Sequence, residues 1–516
     1  MFRSIWSISS LLIGLGILLV GSGLLGMLIG LRGVNAGFSN ITLGMMMTGY
    51  YVGYISGAWI CPRIIRRVGH VRCFASFAAL CAALTLTYGM VVDPWVWFGL
   101  RVLNGLSIMG IYMVIESWLN ERSQANPGTQ GSIFAVYMMV TLVTVAIGQY
   151  MIAFYGANAL ESFVIAAILF CLGLLPISLT PVPQPLPITA PSLSLKSLAK
   201  YSPTGVAGSF CSGLVLGSFW ALTAIYGRGL GFTDIDIANF TAAAIFGGAL
   251  LQWPIGWCSD HFDRRKVLTV VAIGATLTLL ALSELEHLMG GKAPPNAYVA
   301  VSAIMGIFIF SLYGLSVAQT VDRVPASEAL EATRGLLLLH GIGAAIGPML
   351  SGTALQILGE RGFPQATALM TLLLAIFAFV RTWLEAPVPI EERSPFQVLD
   401  QTSPVAMEMH PHADAPLADN TPETPAEEQP AISPEEAEAA AVAAIATAHE
   451  VATVAAEAAS TAGEATEDTG HAADAGAADA DESAGTANEA ESAGAKGASP
   501  TTTTDGDTDE HGPVQR

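Results

Sequence analysis

The sequence predicts an all-α integral membrane protein: twelve transmembrane helices in two six-helix, pseudo-symmetric halves, followed by a disordered C-terminal tail. Three observations predict it. The chain is 52% hydrophobic and only 12% charged over 516 residues, with a mean hydropathy of +0.54, a balance foreign to soluble domains of this size. Apolar runs of about 20 residues, the length that spans a bilayer, recur along residues 1–385. Short motifs also recur at an offset of about 195 to 200 residues, a period that marks duplicated halves and not a repeat array.

Residues 1–180 make the first half, with spans at roughly 5–31, 40–61, 73–92, 95–119, 131–154 and 159–180. The first follows Arg3, yet it is too long for the apolar core of a signal peptide and no small-residue cleavage site closes it, so it is read as retained. The second ends in the basic turn Pro62 to Arg72. Asp93 and Pro94 separate the third from the fourth, which carries Arg101 inside and Glu121-Arg122 at its end. Residues 181–203 are a proline-rich cytoplasmic linker with Lys196 and Lys200 and no sign of a site. The second half, 204–385, repeats the pattern at roughly 204–226, 237–258, 267–287, 297–320, 333–357 and 365–384.

The motifs that repeat fall at equivalent places. Leu31-Arg32-Gly33-Val34-Asn35-Ala36-Gly37-Phe38-Ser39 parallels Gly227-Arg228-Gly229-Leu230-Gly231-Phe232-Thr233. Tyr112 through Arg122 parallels Tyr313 through Arg323, and Pro62 to Arg72 parallels the charged hairpin Gly256 to Lys266. In such duplicated proteins the solute site lies between the halves, near mid-membrane.

Charge gives orientation. The connections after spans 2, 4, 6, 8 and 10 hold most of the loop Lys and Arg, so both termini are expected in the cytoplasm. The net charge of -20 belongs to residues 386–516, where about 27 acidic residues face about 3 basic ones, leaving roughly 15 acidic and 19 basic for the rest. This Ala-, Glu-, Asp-, Thr-, Gly- and Pro-rich segment has too little apolar surface to offset ordering, and disorder is expected. Within it, Ser433-Pro434-Glu435-Glu436 reads as a helix start for the alanine-rich run to about Ser460. His410-x-His412 reads as solvated tail and not as a metal site. The six cysteines, Cys61, Cys73, Cys81, Cys171, Cys211 and Cys258, have no metal-like spacing and read as helix packing.

Gly256-x-x-x-Asp260-x-x-Asp263-Arg264-Arg265 resembles the signature loop of the major facilitator superfamily, and Arg101-x-x-Asn104-Gly105 resembles its span-4 motif. Pro62-x-x-x-Arg66-Arg67-Val68-Gly69-His70-Val71-Arg72 together with Gln252-Trp253-Pro254-Ile255-Gly256 is similar to the YcaD-type bacterial permeases. The resemblance covers roughly residues 1–385. It implies alternating access, with a cytoplasmic gate at Gly69, Gly256, Asp260, Asp263, Arg264 and Arg265. The first-half copy departs from the pattern, presenting Arg66 where an acid normally stands.

Physical reasoning fills in the roles. Asp260 should meet Arg264, Arg265 or a neighbouring helix start, a pairing that biases one of two states. Glu116, near the end of span 4, stands within reach of Arg63, Arg66 or Arg67 and is read as the acid that the first copy lacks, the alternatives being a solute or proton site and a solvated helix end. Arg101 lies inside an apolar span, where an arginine needs a cavity or a partner. The alternative for it is snorkelling toward the nearby membrane face. Asn104, Gln149, Trp220, Tyr226, Gln252, Tyr313, Gln319 and His340 complete a mixed polar and aromatic path, each also readable as interhelical packing. Proton coupling, through His340 or Glu116, rests on family analogy.

Span 5 lacks the glycine-proline pair of many drug-proton antiporters, while Gly343-x-x-x-Gly347-Pro348-x-x-x-Gly352 in span 11 favours close helix contact. The reading is a monomeric secondary transporter for a small organic solute, without cofactor, metal or nucleic-acid partner. A non-transporting receptor or scaffold on the same fold is the alternative. No phosphate-cradling loop, nucleophile or metal constellation supports an ATP-driven pump or an enzyme.

Overall fold

A computed structural model of the chain describes residues 2–124, 130–157, 159–179, 195–325, 328–390, 393, 394 and 396. The rest of the tail, including the Ser433 helix start and His410-x-His412, lies outside the described residues. The described chain is all-α. Its helices are α1 (Phe2–Asn35), α2 (Asn40–Val68), α3 (His70–Met90), α4 (Pro94–Gln124), α5 (Gln130–Tyr150), α6 (Ile152–Tyr155), α7 (Leu160–Ser178), α8 (Leu195–Tyr201), α9 (Pro203–Gly229), α10 (Asp234–His261), α11 (Arg264–Ser283), α12 (Leu285–Leu288), α13 (Pro295–Ile309), α14 (Ser311–Val321), α15 (Ala329–Leu358) and α16 (Gly362–Leu384).

Ten of the described segments are long and apolar enough to cross a membrane. One of the ten, Ala329–Leu384, contains both α15 and α16, divided by a 3-10 turn at Gly359–Arg361. The 29-residue α2 is not among them, because its tyrosines and arginines lower its hydropathy. The span expected at 297–320 is two helices, α13 and α14, meeting at Phe310. The Gln252 amide, 3.3 Å from the Phe310 carbonyl, explains the break, since a side chain inserted into the backbone ladder bends a helix.

The paired turns have the same construction. Gly37 and Gly231 both take positive φ, 79° and 78°, a conformation that costs other residues energy. The next residue bonds back in each: Phe38 N–H to Gly33 O at 3.1 Å, and Phe232 N–H to Gly227 O at 3.0 Å. A hydroxyl then caps the following helix, Ser39 receiving the Thr42 N–H and Thr233 the Asp236 N–H. Each turn's phenylalanine meets an aromatic ring edge-on, Phe38 against Trp97 and Phe232 against Tyr298.

Helix crossings repeat as well, and glycine sets them. A Cβ on Gly53 or Gly105 would strike the backbone across the α2/α4 crossing; one on Gly247 or Gly306 would do so across α10/α13. Gly23 with Gly148 serves α1/α5, and Gly213 and Gly217 with Gly343 and Gly347 serve α9/α15. Small residues let backbones approach where no apolar driving force separates helix from lipid.

At the end of the bundle opposite the two charged hairpins, the earlier and later helices touch. Gly44 of α2 packs on the Pro348 carbonyl of α15, and Gly352 packs on Asn40. Thr48 donates to Ala345 O at 2.7 Å, the Asn40 N–H reaches the Gln356 side chain at 3.0 Å, and Tyr150 of α5 donates to Asn239 of α10 at 2.8 Å.

Candidate functional site

Between these helices lies a cavity of about 250 Å³, just under the roughly 300–1,000 Å³ of ordinary ligand pockets. Its walls come from α1, α2, α4 and α5 on one side and α9, α10 and α15 on the other. Of the residues singled out from sequence, Arg101, Asn104, Gln149, Trp220 and His340 line it. The structure places Tyr226, Gln252, Tyr313 and Gln319 elsewhere. Tyr226 is packed between Phe240 and Phe363, Gln252 is spent on the Phe310 carbonyl, Tyr313 lies behind His340, and Gln319 is buried outside the lining.

Arg101 is positioned by the glycine two positions beyond Leu103. Gly105 presses α4 onto the Tyr50 backbone of α2, which brings the Arg101 guanidinium over the Tyr50 ring at 4.8 Å. That distance is within cation–π range. The side chain is 8% exposed; one Nη lies 3.0 Å from the Met47 sulfur, and Nε has no hydrogen-bond partner among the described residues. Asn104 points its amide at Cys81 Sγ, 3.7 Å away. The buried Gln149 side-chain oxygen is likewise unpartnered among the described residues.

Across the cavity, His340 Nδ1 sits 2.9 Å from Ser212 Oγ, with the Tyr313 ring edge-on at 5.0 Å. Trp220 stands edge-on to Phe219 and Phe310. Sequence reasoning missed two contributions. Tyr50, Tyr51 and Tyr54 line the cavity, and the i, i+4 spacing of Tyr50 and Tyr54 on one helix face was a usable signal. Arg334, near the start of α15, is buried, lines the cavity and pairs with Glu331 at 2.6 Å.

The second-half hairpin is a bonded cluster. Arg264 and Arg265 are almost completely buried. Arg264 bonds Asp322 at 2.6 Å, Asp260 at 3.3 Å and Ser259 Oγ at 3.1 Å; Arg265 pairs with Asp263 at 2.8 Å and with the Glu385 carbonyl at the same distance. The expected Asp260 to Arg264 pair is present, but Asp322 is the closer partner. Burial pushes the Asp322 carboxyl above its usual range, against the pull of Arg264, the Ser394 N–H and Arg393. For Asp263 burial again raises, but the Arg265 hydrogen bonds and charge prevail and the carboxyl lies below its usual range.

Residues assigned by sequence to the tail cover this cluster. The Phe396 ring fills the space beside Gly256, and its N–H is held by the Asp260 carboxylate at 2.9 Å. Ser394 N–H donates to Asp322 at 3.0 Å, and Arg393 donates to the carbonyls of Phe262 and Val388.

The first-half copy is built differently. Gly69 turns α2 into α3 directly, with φ 92°. Arg63 donates to the Trp59 carbonyl, and Arg63, Arg66 and Arg67 are exposed. Glu116 is fully buried and accepts the Tyr137 hydroxyl. Among the described residues no cluster of three or more His, Cys, Asp or Glu could hold a metal.

Comparison with known proteins agrees with this architecture. Residues 205–407 match the Major Facilitator Superfamily model. The chain is similar to an uncharacterized MFS-type transporter, YcaD, of Escherichia fergusonii, 27% identical over 316 residues, 61% of this chain and 80% of the relative. It is also similar to an uncharacterized MFS-type transporter of Yersinia pestis, 24% identical over 356 residues, 69% and 88% of the two chains. Among solved structures, the nucleoside transporter NupG superposes with a TM-score of 0.60 at 15% identity, over 73% of this chain and 99% of that one. A bacterial homologue of the human lysosomal transporter Spinster, in an inward-facing and unoccupied conformation, gives 0.59 at 13%, over 76% and 98%. At these identities the structural likeness speaks for the fold alone.

Proposed function

We propose, from the match of residues 205–407 to the Major Facilitator Superfamily model and the similarity to YcaD-type relatives, that this chain is a multi-pass inner-membrane transporter of that superfamily and moves a small organic solute by alternating access. The family fold is one of secondary transport and not of catalysis. Beyond that, we read the helices as twelve spans in two six-helix halves, with the short helices α6, α8 and α12 as connectors and α13 with α14 as one span. Both termini lie in the cytoplasm in this reading. The closed end is then the external one, and the chain stands open toward the cytoplasm.

The carrying observation is the cavity itself. It is walled by helices of both halves and shut at one end only by contacts between them. A scaffold has no use for such a chamber; a carrier must have one whose two ends open in turn. Arg101, Asn104, Gln149, Trp220 and His340 contact the solute, and the two hairpins with Glu116 govern the cytoplasmic end. Proton coupling, through Glu116 or His340, is carried by family analogy.

Locking the external end tests the reading. Tyr150 and Asn239 are already hydrogen-bonded across the two halves, so Tyr150→Cys with Asn239→Cys should be bridged by a short bis-methanethiosulfonate cross-linker whose spacer takes the place of the tyrosine ring. In proteoliposomes the cross-link should abolish counterflow of a transported metabolite, and reduction should restore it. Undiminished counterflow through fully cross-linked protein would sink alternating access about this seam. Solute-driven acidification or alkalinisation of the vesicles tests the coupling.

A further inference from the structure

We propose that the solute is a small organic monoanion, a carboxylate on a flat apolar or aromatic body, with Arg101 as its charge anchor. The inference rests on the cavity being the transport site. It starts from a guanidinium that the protein leaves unfinished. Arg101 is 8% exposed, forms no ion pair among the described residues, and has for neighbours a thioether sulfur and the face of Tyr50. A thioether is a weak acceptor, and Nε has none. Removing a guanidinium from water without a counter-ion is costly, so the fold holds a charge whose partner has to come from the cavity.

The rest of the lining fixes the sign and the number of charges. Among the described residues no carboxylate lines the cavity, and its other arginine, Arg334, is already paired with Glu331. The chamber therefore carries one uncompensated positive charge. A cation entering it would meet repulsion with no compensating acid, and a dianion would be left with one charge unmatched. A carboxylate presents two coplanar oxygens to the guanidinium fork. The body follows from Tyr54 and Trp220, whose rings line the cavity and are apolar, and from a volume of about 250 Å³, which suits a metabolite of one or two rings.

The experiment uses the full chain in lipid nanodiscs. Its probes are matched pairs: benzoate, 4-hydroxybenzoate, phenylacetate and indole-3-acetate against their uncharged amides, with binding read by thermal shift and isothermal titration. At least one acid should bind, and its amide should bind about tenfold or more weakly. Arg101→Gln should weaken the acid roughly 10- to 100-fold, leave the amide unchanged, and leave the ligand-free melting temperature unchanged or raised, because an unpaired buried charge has been removed. Arg101→Lys should recover part of the acid's affinity. Three results overturn the proposal: no acid binding up to about 10 mM, amides binding as well as acids, or Arg101→Gln weakening acid and amide alike. An acid that binds in this pattern yet shows no counterflow would defeat the transport reading and leave the anion site standing.

Discussion

Replacing Gly105 by alanine should disable the cavity without touching any of its side chains. A Cβ built there lies 1.9 Å from the Tyr50 carbonyl oxygen and 2.9 Å from the Tyr54 nitrogen. Ordinary contact begins near 3.4 Å, and both obstacles are backbone, so α2 and α4 must separate by about 1.5 Å. Arg101 is carried with α4, and its 4.8 Å approach to the Tyr50 ring opens toward the roughly 6 Å limit of cation–π attraction. Overpacking of this kind costs about 1–3 kcal/mol, and ligand affinity should fall on the order of tenfold. Gly99, on the same helix, is the control: a Cβ there meets nothing within 4 Å, and alanine should be neutral or stabilise by about 0.5–1 kcal/mol through reduced unfolded-state freedom. The assay is thermal unfolding of purified variants, followed by titration of whichever ligand binds the wild type. Gly105→Ala behaving like Gly99→Ala would refute the claim that the glycine contact sets the site.

Two further outcomes concern the covered hairpin. Gly256→Ala places a Cβ 2.1 Å from the Phe396 ring, so residues 393–396 should detach and trypsin should cut after Arg393 several-fold faster than in the wild type; an unchanged rate would mean the ring is not seated there in solution. Asp322, with its carboxyl raised by burial, holds its proton more tightly folded than unfolded, so its contribution to stability falls as pH rises from the usual carboxylate range through the folded value. The wild type minus Asp322→Asn difference in melting temperature should therefore shrink with rising pH across that window, and a difference that grows would reverse the assignment. Asp263, whose carboxyl is lowered, should give the opposite slope.

The membrane class was legible because length and hydropathy alone settle it. The paired turns were legible because Gly37 and Gly231 sit in motifs whose local bonding permits little else. Arg101 was legible as well, since a charge in an apolar run demands an explanation within the chain. What sequence could not supply was the direction in which a polar side chain points. Tyr226 and Gln252 look as eligible as Trp220, yet one is packed among rings and the other breaks a neighbouring helix. Arg334 was hidden by lying near a helix start, where a cation looks solvated. The expected Asp260 to Arg264 pair formed, while the nearer partner Asp322 was hidden by its distance in sequence; the role of Arg393, Ser394 and Phe396 was invisible because each of their bonds uses a backbone carbonyl or N–H that every residue possesses.

The contacts that join α2 to α15 and α5 to α10 are uncharged: glycine backbones and single hydrogen bonds. At the other end, Arg63, Arg66 and Arg67 stand exposed. Exposed charge is screened within a Debye length of about 10 Å at 0.1 M salt, whereas a neutral backbone seal is indifferent to it. The two ends therefore answer to different solution variables. In the proposed alternation, ionic strength and anionic lipid should act on the exposed hairpin charges and not on this seal between helices.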